Sequence, residues 1–514
     1  MKKILVFLMA ALTLVLSLVL ASCSNDTTSD TKPDDVSALD VENTVTPSPE
    51  ETDFFDDGLE DEDFGGVNFR ILYRNGCSRG NWAEYEVHRI EIWAEEENGD
   101  VINDALYRRN RAVENRFNVN IVGIAYPATG SNEGEVANYA RRSILSDSND
   151  FDLVVTWSNH LATPAAEGMF VDWHSVPYLN MEKPWWIADA MRAYTVKGKS
   201  YLAMNDTIFS GVVGEAAFIM FNKELVERFG LGNPYQLVFD NKWTLDSLNA
   251  ITRECYADEN GDGKRNADDI YGFTSDSWGS AYALMWAGGA HMTATGNDGL
   301  PYYDLYTERN VNLFRKVYDL FYENPGSAIT NASGNSIDFQ GRGDQAYLFS
   351  AGNAVFLSER VGVLCTPGFR NAPFEFGVLP MPKYDESQEK YLTMINEHAS
   401  AMAIPVFNTN LNMTGKIIEA LCAESRKQLV PAYYEVALKT KYSRDEESVQ
   451  MLDLIFEGVV YDFGLIYNLP MFDIYQTFLS SRRDPSTFTS YIESNEERAK
   501  AKLQEILAMY ENID

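Results

Sequence analysis

Residues Asp150–Trp157 read DFDLVVTW, a short apolar run that predicts a β-strand. Two similar runs precede it, VNFRILY (67–73) and VNIVGI (119–124). Helical patterns separate the three runs: DVINDALYRRNRAVENRF (100–117), which puts Ile102 and Phe117 on one apolar face, and EVANYARRSILS (135–146). Strands that alternate with helices predict an α/β fold with a parallel sheet, whose ligand-binding loops lie at the carboxyl ends of the strands.

The chain is too long for one hydrophobic core. At 514 residues it predicts two lobes or domains. A second α/β run begins at AAFIMFNKELVERFG (216–230) and continues through the predicted helix 243–257, and the sequence after Asn410 is mostly helical. A formal charge of −34 argues against binding to nucleic acid and against adhesion to anionic lipid through a basic surface.

The N-terminus has the pattern of an export signal. Lys2 and Lys3 precede an apolar stretch, 4–20, which ends in the sequence LASC at Cys23. This order resembles a bacterial lipoprotein signal peptide, 1–22, and the resemblance implies cleavage before Cys23 and a diacylglycerol on its thiol. Two or more acyl chains would anchor the protein stably in a membrane. A plain signal peptide or an N-terminal transmembrane helix is the alternative.

An acidic segment follows the signal. Between Ser24 and Asp63 there are fifteen Asp or Glu residues and one Lys. Such a stretch cannot bury enough apolar surface to fold, so residues 23–65 are predicted to be a lipidated cysteine and a disordered tether. Apart from Cys23 the cysteines are far apart in sequence, which permits disulfides without requiring them: Cys77, Cys255, Cys365 and Cys422.

Several segments in one order resemble extracellular solute-binding protein family 1, the maltose-binding-protein-like carbohydrate-binding proteins of ABC importers. They are DFDLVVTW with AAEGMFVDWHSV (150–157, 165–176), VKGKSYLAMNDTIFSGVVGEAAFIMFNKELVERFGL (196–231), KWTLDSL (242–248), WAGGAH (286–291), FSAGNAVFLSERVGV (349–363), FGVLPMPKYD (376–385) and INEHASAMAIP (395–405). Thr244 is a plausible helix N-cap in the third of them.

The resemblance implies two lobes of a type II periplasmic-binding-protein-like fold, joined by hinge crossovers and followed by a helical C-terminal region. The first lobe is predicted over 66–214 with 375–405, and the second over 215–374 with 406–514. The implied function is capture of an extracellular oligosaccharide by hinge closure, and its delivery to the importer's permease subunits.

A sugar site needs aromatic platforms and planar polar side chains, and these are sought at strand ends and crossovers. By position and by resemblance, the candidate ligand-binding residues are Trp157, Asn159, His160, Asp206, Glu215, Asp276, Trp278, Glu359, Arg360, Asn396 and His398, with Glu397 between the last two. A core tryptophan is the alternative for Trp157, a loop histidine for His160, and a surface ion pair for Glu359 with Arg360. Trp185 and Trp186 could form a wall of the cleft or a buried staple.

Enzyme motifs give no competing prediction. The chain has no GxSxG, HExxH, P-loop or strand-following GxGxxG motif, so it is predicted not to be an enzyme. Another polar solute, such as a peptide, stays an alternative ligand. A surface glycoside hydrolase stays an alternative function, because two carboxylates suffice for that chemistry.

The segment DENGDGKRNADD, Asp258–Asp269, has the ligand spacing of a calcium loop, with Gly263 at the sharp turn. The predicted ligands are Asp258, Asn260, Asp262, the Lys264 carbonyl, Asn266 and Asp269. A predicted strand or turn, IYGF, follows where a sensor would have its second helix, so the loop is expected to hold a structural Ca²⁺. An acidic turn without metal is the alternative.

Overall fold

A computed structural model describes residues 55–78, 92–129, 134–208, 211–330, 345–365, 369, 372–396, 398–433 and 446–513, without the side chains of 76–78, 128–129 and 365. Within these residues, no helix is long and apolar enough to cross a membrane.

The described strands are short, apart from the first two. In chain order they are β1 Val67–Ser78, β2 Val119–Thr129, β3 Leu153–Trp157, β4 Thr195–Val196, β5 Lys199–Ser200, β6 Ala217–Asn222, β7 Tyr271–Asp276, β8 Thr293–Thr295, β9 Pro301–Tyr303, β10 Ser327–Thr330, β11 Ala354–Arg360, β12 Phe376–Leu379, β13 Thr393–Met394, β14 Ser400–Ala403 and β15 Val459–Val460.

The described α-helices are α1 Val101–Phe117, α2 Glu135–Leu145, α3 Ser158–Ala166, α4 Ala188–Tyr194, α5 Lys223–Arg228, α6 Pro234–Phe239, α7 Leu245–Thr252, α8 Gly279–Ala287, α9 Glu308–Tyr318, α10 Gln345–Ser350, α11 Leu411–Glu424, α12 Glu446–Glu457, α13 Phe463–Ile466, α14 Ile474–Ser480 and α15 Phe488–Glu511. Short 3₁₀ segments lie at Trp173–Ser175, Val361–Cys365 and Pro485–Thr487, and π-helical turns at Asp319–Glu323 and Ser425–Leu429.

The first lobe is built on a four-stranded sheet of order β14-β3-β1-β2. Strand β1 pairs in parallel with β2 and with β3, and β14 adds an antiparallel edge to β3. All five residues of β3 are buried, as expected for a central strand with helices on both faces. The three predicted strands and the parallel sheet are thus confirmed.

The second lobe is built on a five-stranded sheet of order β10-β7-β11-β6-β12. Strands β10, β7 and β11 run parallel, whereas β6 lies antiparallel between β11 and β12. The carboxyl ends of β7 and β11 therefore open at the same edge of this sheet, beside the beginning of β6. Helix α7 leads towards β7 and begins as predicted at Thr244, which forms a capping box with Ser247.

Two crossovers connect the lobes side by side. The chain leaves the first lobe just before β6 and returns between β13 and β14, and a β-bridge joins Ala216 to Ile395 where the two crossovers meet. Strand β15 runs alongside, parallel to β13. Short paired crossovers of this kind let two lobes rotate about a hinge while each keeps its own core.

The predicted limits of the lobes need two corrections. The return to the first lobe comes near residue 395 and not at 375, because β12 pairs with β6 as an edge strand of the second sheet. The helical tail from 406 does not lie wholly on the second lobe, because α11 packs on α1 and buries its apolar face in the first lobe.

The predicted tether is also ordered at its end. From Phe55 to residue 65 the chain lies against the first lobe, where Leu59 and Phe64 join its apolar cluster. Arg116 forms ion pairs with Asp57 and, at 2.7 Å, with Asp61. The acidic composition suggested solvation throughout, but a half-buried cation and two apolar side chains are enough to hold this stretch.

Candidate functional site

A small cavity opens where the second sheet meets the crossovers. It is lined by Glu215, Ala217, Asp276, Gly279, Ser280, Ala283, Glu359, Arg360, Met394 and Asn396. Five of these residues were candidates from the sequence, and they come from the ends of β7 and β11 and from the two crossovers. The cavity holds about 10 Å³, the room of a single water molecule. A sugar ring can therefore enter only if residues around the cavity move.

The Asp276 and Glu359 carboxylates are joined by one amide. Gln345 Nε2 lies 3.2 Å from Asp276 Oδ2 and 3.1 Å from Glu359 Oε2, and donates to both. Gln345 is itself buried, and its Oε1 accepts from the hydroxyl of Thr330 at 2.8 Å. Burial raises the pKa of Glu359 to about 7, and the neighbouring Asp276 raises it too, against an opposing effect of Arg360.

The other oxygens of the pair accept from backbone amides. Asp276 Oδ1 accepts from the backbone N–H groups of Trp278 at 2.6 Å and Ser280 at 3.2 Å, at the N-terminus of α8. Glu359 Oε1 accepts from the backbone N–H of Arg360 at 3.0 Å. Both carboxylates are thus fixed in orientation before any ligand arrives.

Arg360 extends from the end of β11 towards the first crossover. Its Nη1 lies 3.3 Å from Oε2 of Glu215, whose side chain is buried. The guanidinium passes over Gly279, where an added Cβ would lie 2.7 Å from Nη2. The glycine therefore makes room for the arginine.

Trp278 stands in the chain between Asp276 and Gly279, which both line the cavity, without being a lining residue itself. It is the most exposed tryptophan or phenylalanine of the described residues, at 53%. It precedes α8 and is held through the hydrogen bond of its backbone to Asp276. An exposed indole next to a fixed carboxylate is the arrangement that a sugar ring needs: an apolar face to stack on and an acceptor for its hydroxyls.

Trp157 is placed differently from its predicted role. It is 3% exposed, with the ring of His398 stacked on it at 4.2 Å and the guanidinium of Arg74 at 4.4 Å. His160 lies 5.3 Å away, ring centre to ring centre. In this arrangement of the lobes the indole offers no free face to a ligand, so the core alternative fits better.

Two polar atoms around Trp157 nonetheless lack a partner. Trp157 Nε1 and Asn159 Oδ1 are buried with no hydrogen-bond partner among the residues that the structure describes. Asn396, which lines the cavity, accepts from the backbone N–H of His398 at 2.9 Å, so the Trp157 cluster and the cavity share the second crossover. Glu397 lies outside the described residues.

Asp206 is not brought to the cavity. It forms an ion pair with Arg426 of the helical tail at 3.0 Å, and burial raises its pKa to about 6. Trp185 and Trp186 form a buried staple and not a cleft wall, because both indole N–H groups donate to the buried Glu419, at 3.2 and 3.1 Å. Burial raises the pKa of Glu419 to about 7.

Three residues of the site were missed from the sequence. Gln345 and Thr330 position the carboxylate pair, and Gly279 makes room for Arg360. Gly279 follows Trp278 directly and begins a helix, and a glycine at such a position could have indicated that another side chain packs closely there. Gln345 and Thr330 carried none, because they are brought to the site only by the pairing of β10 with β7 and by the packing of α10.

The calcium-like loop already has an ordered hydrogen-bond pattern. The carboxylate of Asp258 accepts from the backbone N–H groups of Gly261 at 2.7 Å and Gly263 at 2.8 Å, and Asp262 accepts from that of Lys264 at 2.7 Å. Asp269 is fully buried, and its Oδ1 has no hydrogen-bond partner among the described residues. An orphaned buried carboxylate oxygen at the last position fits a cation, and the Lys264 carbonyl and Asn266 lie in the same turn.

The carboxylates of the loop do not yet converge. Among the described residues, no three Asp, Glu, His or Cys side chains are arranged to hold a metal ion. The residue types and the orphaned oxygen therefore suit Ca²⁺, but the side chains would have to rotate inwards to bind it.

The structure describes two of the cysteines in full and does not describe the predicted anchor. Cys255 and Cys422 are buried and free, while Cys23 and the side chains of Cys77 and Cys365 lie outside the described residues. The predicted signal peptide, 1–22, also lies outside them.

Comparison with known proteins places the fold. No family model and no curated protein matches the chain. Among solved structures, a cyclic α-maltosyl-1,6-maltose binding protein from Arthrobacter globiformis is 14% identical over 86% of this chain and 99% of its own, with a TM-score of 0.55. The fold is that of the two-lobed solute-binding proteins. A cyclo/maltodextrin-binding protein complexed with maltotetraose also matches, with 13% identity, coverage of 86% and 96%, and a TM-score of 0.50. The fold predicted from the sequence is thereby confirmed.

Proposed function

We propose that this protein is the substrate-binding lipoprotein of an ABC importer, which captures an extracellular oligosaccharide by closure of its two lobes and delivers it to permease subunits. The observation that carries the proposal is the cavity at the crossovers. There, oriented carboxylates and a guanidinium lie beside an exposed indole, the combination that recognises a sugar ring.

The fold supports the same function. Two proteins that share it are named for binding cyclic maltosyl-maltose and maltodextrin, although at 13–14% identity their ligands need not be those of this chain. The position of the cavity supports capture by hinge motion, because Glu215, Met394 and Asn396 of its lining lie on or beside the paired crossovers, which change when two lobes rotate.

The function is tested by titrating the purified protein with a panel of oligosaccharides and following tryptophan fluorescence. We expect saturable quenching without hydrolysis. Trp278→Ala should weaken binding by on the order of tenfold or more, since stacking on an indole contributes strongly to such sites. Tyr306→Ala is the matched control, because Tyr306 is similarly exposed, at 49%, but has no cavity-lining residue next to it in the chain, whereas Trp278 directly precedes Gly279.

The alternatives give different results in this assay. Release of shorter sugars would indicate a glycoside hydrolase that uses Asp276 and Glu359. Quenching by peptides and not by sugars would indicate a binder of another polar solute. Equal affinity of Trp278→Ala and wild type for the ligand that binds would overturn the site.

We propose in addition that the loop Asp258–Asp269 holds a structural Ca²⁺. The support is the ligand spacing of the loop and the buried Asp269 oxygen that lacks a partner. Bound Ca²⁺ would neutralise the three loop carboxylates and fix the connection from α7 to β7, whose far end carries Asp276. The ion would act on stability and not on the ligand directly.

We also propose that Cys23 carries the lipid that anchors the protein outside the cytoplasmic membrane. The support is the sequence alone: a basic start, an apolar stretch and LASC. An anchored binding protein stays close to its permease, which suits the importer function.

A further inference from the structure

The charge of the cavity is unbalanced. Three of the ten described lining residues are carboxylates, Glu215, Asp276 and Glu359, whereas Arg360 is the one cation among those ten. The guanidinium is directed to Glu215 at 3.3 Å. Among the residues that the structure describes, the common donor to Asp276 and Glu359 is the neutral amide of Gln345.

The Asp276 and Glu359 carboxylates lie close enough to repel each other. One oxygen of each carboxylate lies within 3.2 Å of the same Gln345 nitrogen, so two groups that would both be negative are forced close in a part-buried site. Like charges at such a separation repel, and each makes ionisation of the other less favourable. Arg360 offsets this repulsion in part at Glu359, but its guanidinium is also directed to Glu215, and the amide of Gln345 is neutral. A second positive group in contact with the pair would relieve the rest.

The basic side chains that the structure describes around Trp157 in the first lobe do not bring a positive charge to the cavity. Arg74, His160 and His398 are gathered around Trp157, and none of them lines the cavity. A metal ion is also disfavoured, because no three carboxylate, histidine or cysteine side chains of the described residues are arranged to hold one. An ammonium group does not need three protein ligands in a fixed geometry, since it donates three hydrogen bonds in directions set by its own rotation.

We propose that the ligand of this site is an amino sugar or an oligosaccharide containing one, whose protonated amine binds to the Asp276 and Glu359 carboxylates. The inference rests on the proposed function and names the ligand class of the same site. Trp278 would stack on the apolar face of the sugar ring, and its indole would also favour a nearby cation. The net charge of −34 favours the approach of a cationic ligand.

Matched sugars test the proposal by isothermal titration calorimetry. The first set is β-1,4-linked oligomers of glucosamine, N-acetylglucosamine and glucose, which differ only in an amine, an acetamide or a hydroxyl at one carbon. The second set is glucosamine, galactosamine and mannosamine, each against its hydroxyl counterpart, with maltodextrins included as neutral oligosaccharides. We expect at least one amine-bearing sugar to bind roughly tenfold or more tighter than its neutral partner.

The carboxylate variants identify the source of that preference. Asp276→Asn and Glu359→Gln, singly and together, should abolish the preference for the amine while keeping neutral hydrogen-bonding groups at the site. Glu386→Gln with Glu389→Gln, a pair of exposed carboxylates outside the cavity, is the control and should keep it. Should the double variant fail to fold, the single variants and the pH dependence of wild type give the same answer.

The outcomes separate this inference from the function on which it rests. Neutral sugars that bind as well as or better than their amine partners would overturn the amine inference and leave oligosaccharide capture standing. Binding of none of the sugars would overturn both. An amine preference that survives in the Asp276 and Glu359 variants would overturn the assignment of the amine to this pair.

Discussion

Arg360 on the last position of β11 reaches Glu215 on the first crossover, with Nη1 3.3 Å from Oε2. This ion pair connects the centre of the second sheet to the segment that must move when the lobes open. Glu215 is 2% exposed, so its charge depends on nearby polar groups for solvation.

Arg360→Ala is therefore expected to destabilise the protein. About a third of the Arg360 side chain is exposed, so solvent compensates in part and we expect a loss of about 1–2 kcal/mol in the free energy of unfolding. Urea denaturation measures it. In a double-mutant cycle, adding Glu215→Gln should recover part of the loss, because the buried charge is then gone. Strictly additive losses would mean that the pair is not coupled.

The core of the fold could be predicted because it depends on local pattern. Strand β3 and the strands before it alternate with helices, and the Thr244 cap begins α7 where predicted. Glu359 and Arg360 were predicted as a strand end on the cleft side, and Asp276 from the resemblance of its loop. In the structure all three come at the carboxyl ends of neighbouring parallel strands, which meet at one edge of a sheet.

The rest depended on pairing between distant segments. The burial of Trp157 depends on His398, which is 241 positions later in the chain and stacks on the indole because β14 pairs with β3. The chain returns to the first lobe later than predicted because β12 pairs with β6 in the second sheet. Asp206 does not line the cavity and instead forms an ion pair with Arg426 of the helical tail. None of these partners is visible in the sequence around the residue concerned.

Glu419 should make stability depend on pH. Burial raises the pKa of this carboxyl from its usual value near 4.5 to about 7 in the folded protein, so the folded state holds the proton more tightly than the unfolded state does. The contribution of Glu419 is thus most favourable below about pH 4.5, falls as pH rises towards 7, and is constant above it. Thermal unfolding between pH 5 and 8 should show this loss.

The indoles that bond to Glu419 give a local signal for the same titration. Trp185 and Trp186 donate to its two oxygens, so tryptophan fluorescence should change with a midpoint near pH 7. The change should vanish in Trp185→Phe with Trp186→Phe, and persist in Trp243→Phe, another fully buried tryptophan that donates to the Pro380 carbonyl instead. A midpoint that stays near 7 without the two indoles would assign the signal to another group.

Ligand affinity should depend on pH through Glu359, whose pKa burial raises to about 7. The charged groups facing it are Asp276 from β7, Arg360 on its own strand and Glu215 from the crossover. The amine of an amino sugar itself loses its proton close to this range, so the affinity is referred to the protonated form of the ligand. On that scale, affinity should increase between pH 6 and 7.5 as Glu359 ionises. In Glu359→Gln this increase should disappear, and for a neutral sugar it should be absent in wild type as well. Calorimetric titration at four pH values in that range measures it, and a flat profile for the amine would contradict it.

The lipid anchor predicts a change of location. Cys23→Ala removes the only thiol at the predicted cleavage site, so the protein should be released into the medium or the periplasm in place of remaining in the membrane fraction. Fractionation followed by immunoblotting measures this. Cys255→Ala is the control, because that thiol is buried in the second lobe and should leave the location unchanged. Membrane retention of Cys23→Ala would argue for an uncleaved transmembrane helix.

Removal of calcium should lower the melting temperature by a few degrees without unfolding the protein. An ion bound only by the folded state stabilises that state by RT ln(1 + c/Kd), where c is the concentration of free Ca²⁺, and this term is lost when the ion is removed. Differential scanning calorimetry with a chelator, and then with added Ca²⁺, measures the shift. Asp269→Asn should remove most of it, since this variant takes the charge from the buried oxygen that lacks a partner. Asp268→Asn, next to it but not a predicted ligand, should keep the full response. An identical melting temperature with chelator and with excess Ca²⁺ would identify the loop as an acidic turn without metal, held by the backbone hydrogen bonds to Asp258 and Asp262 alone.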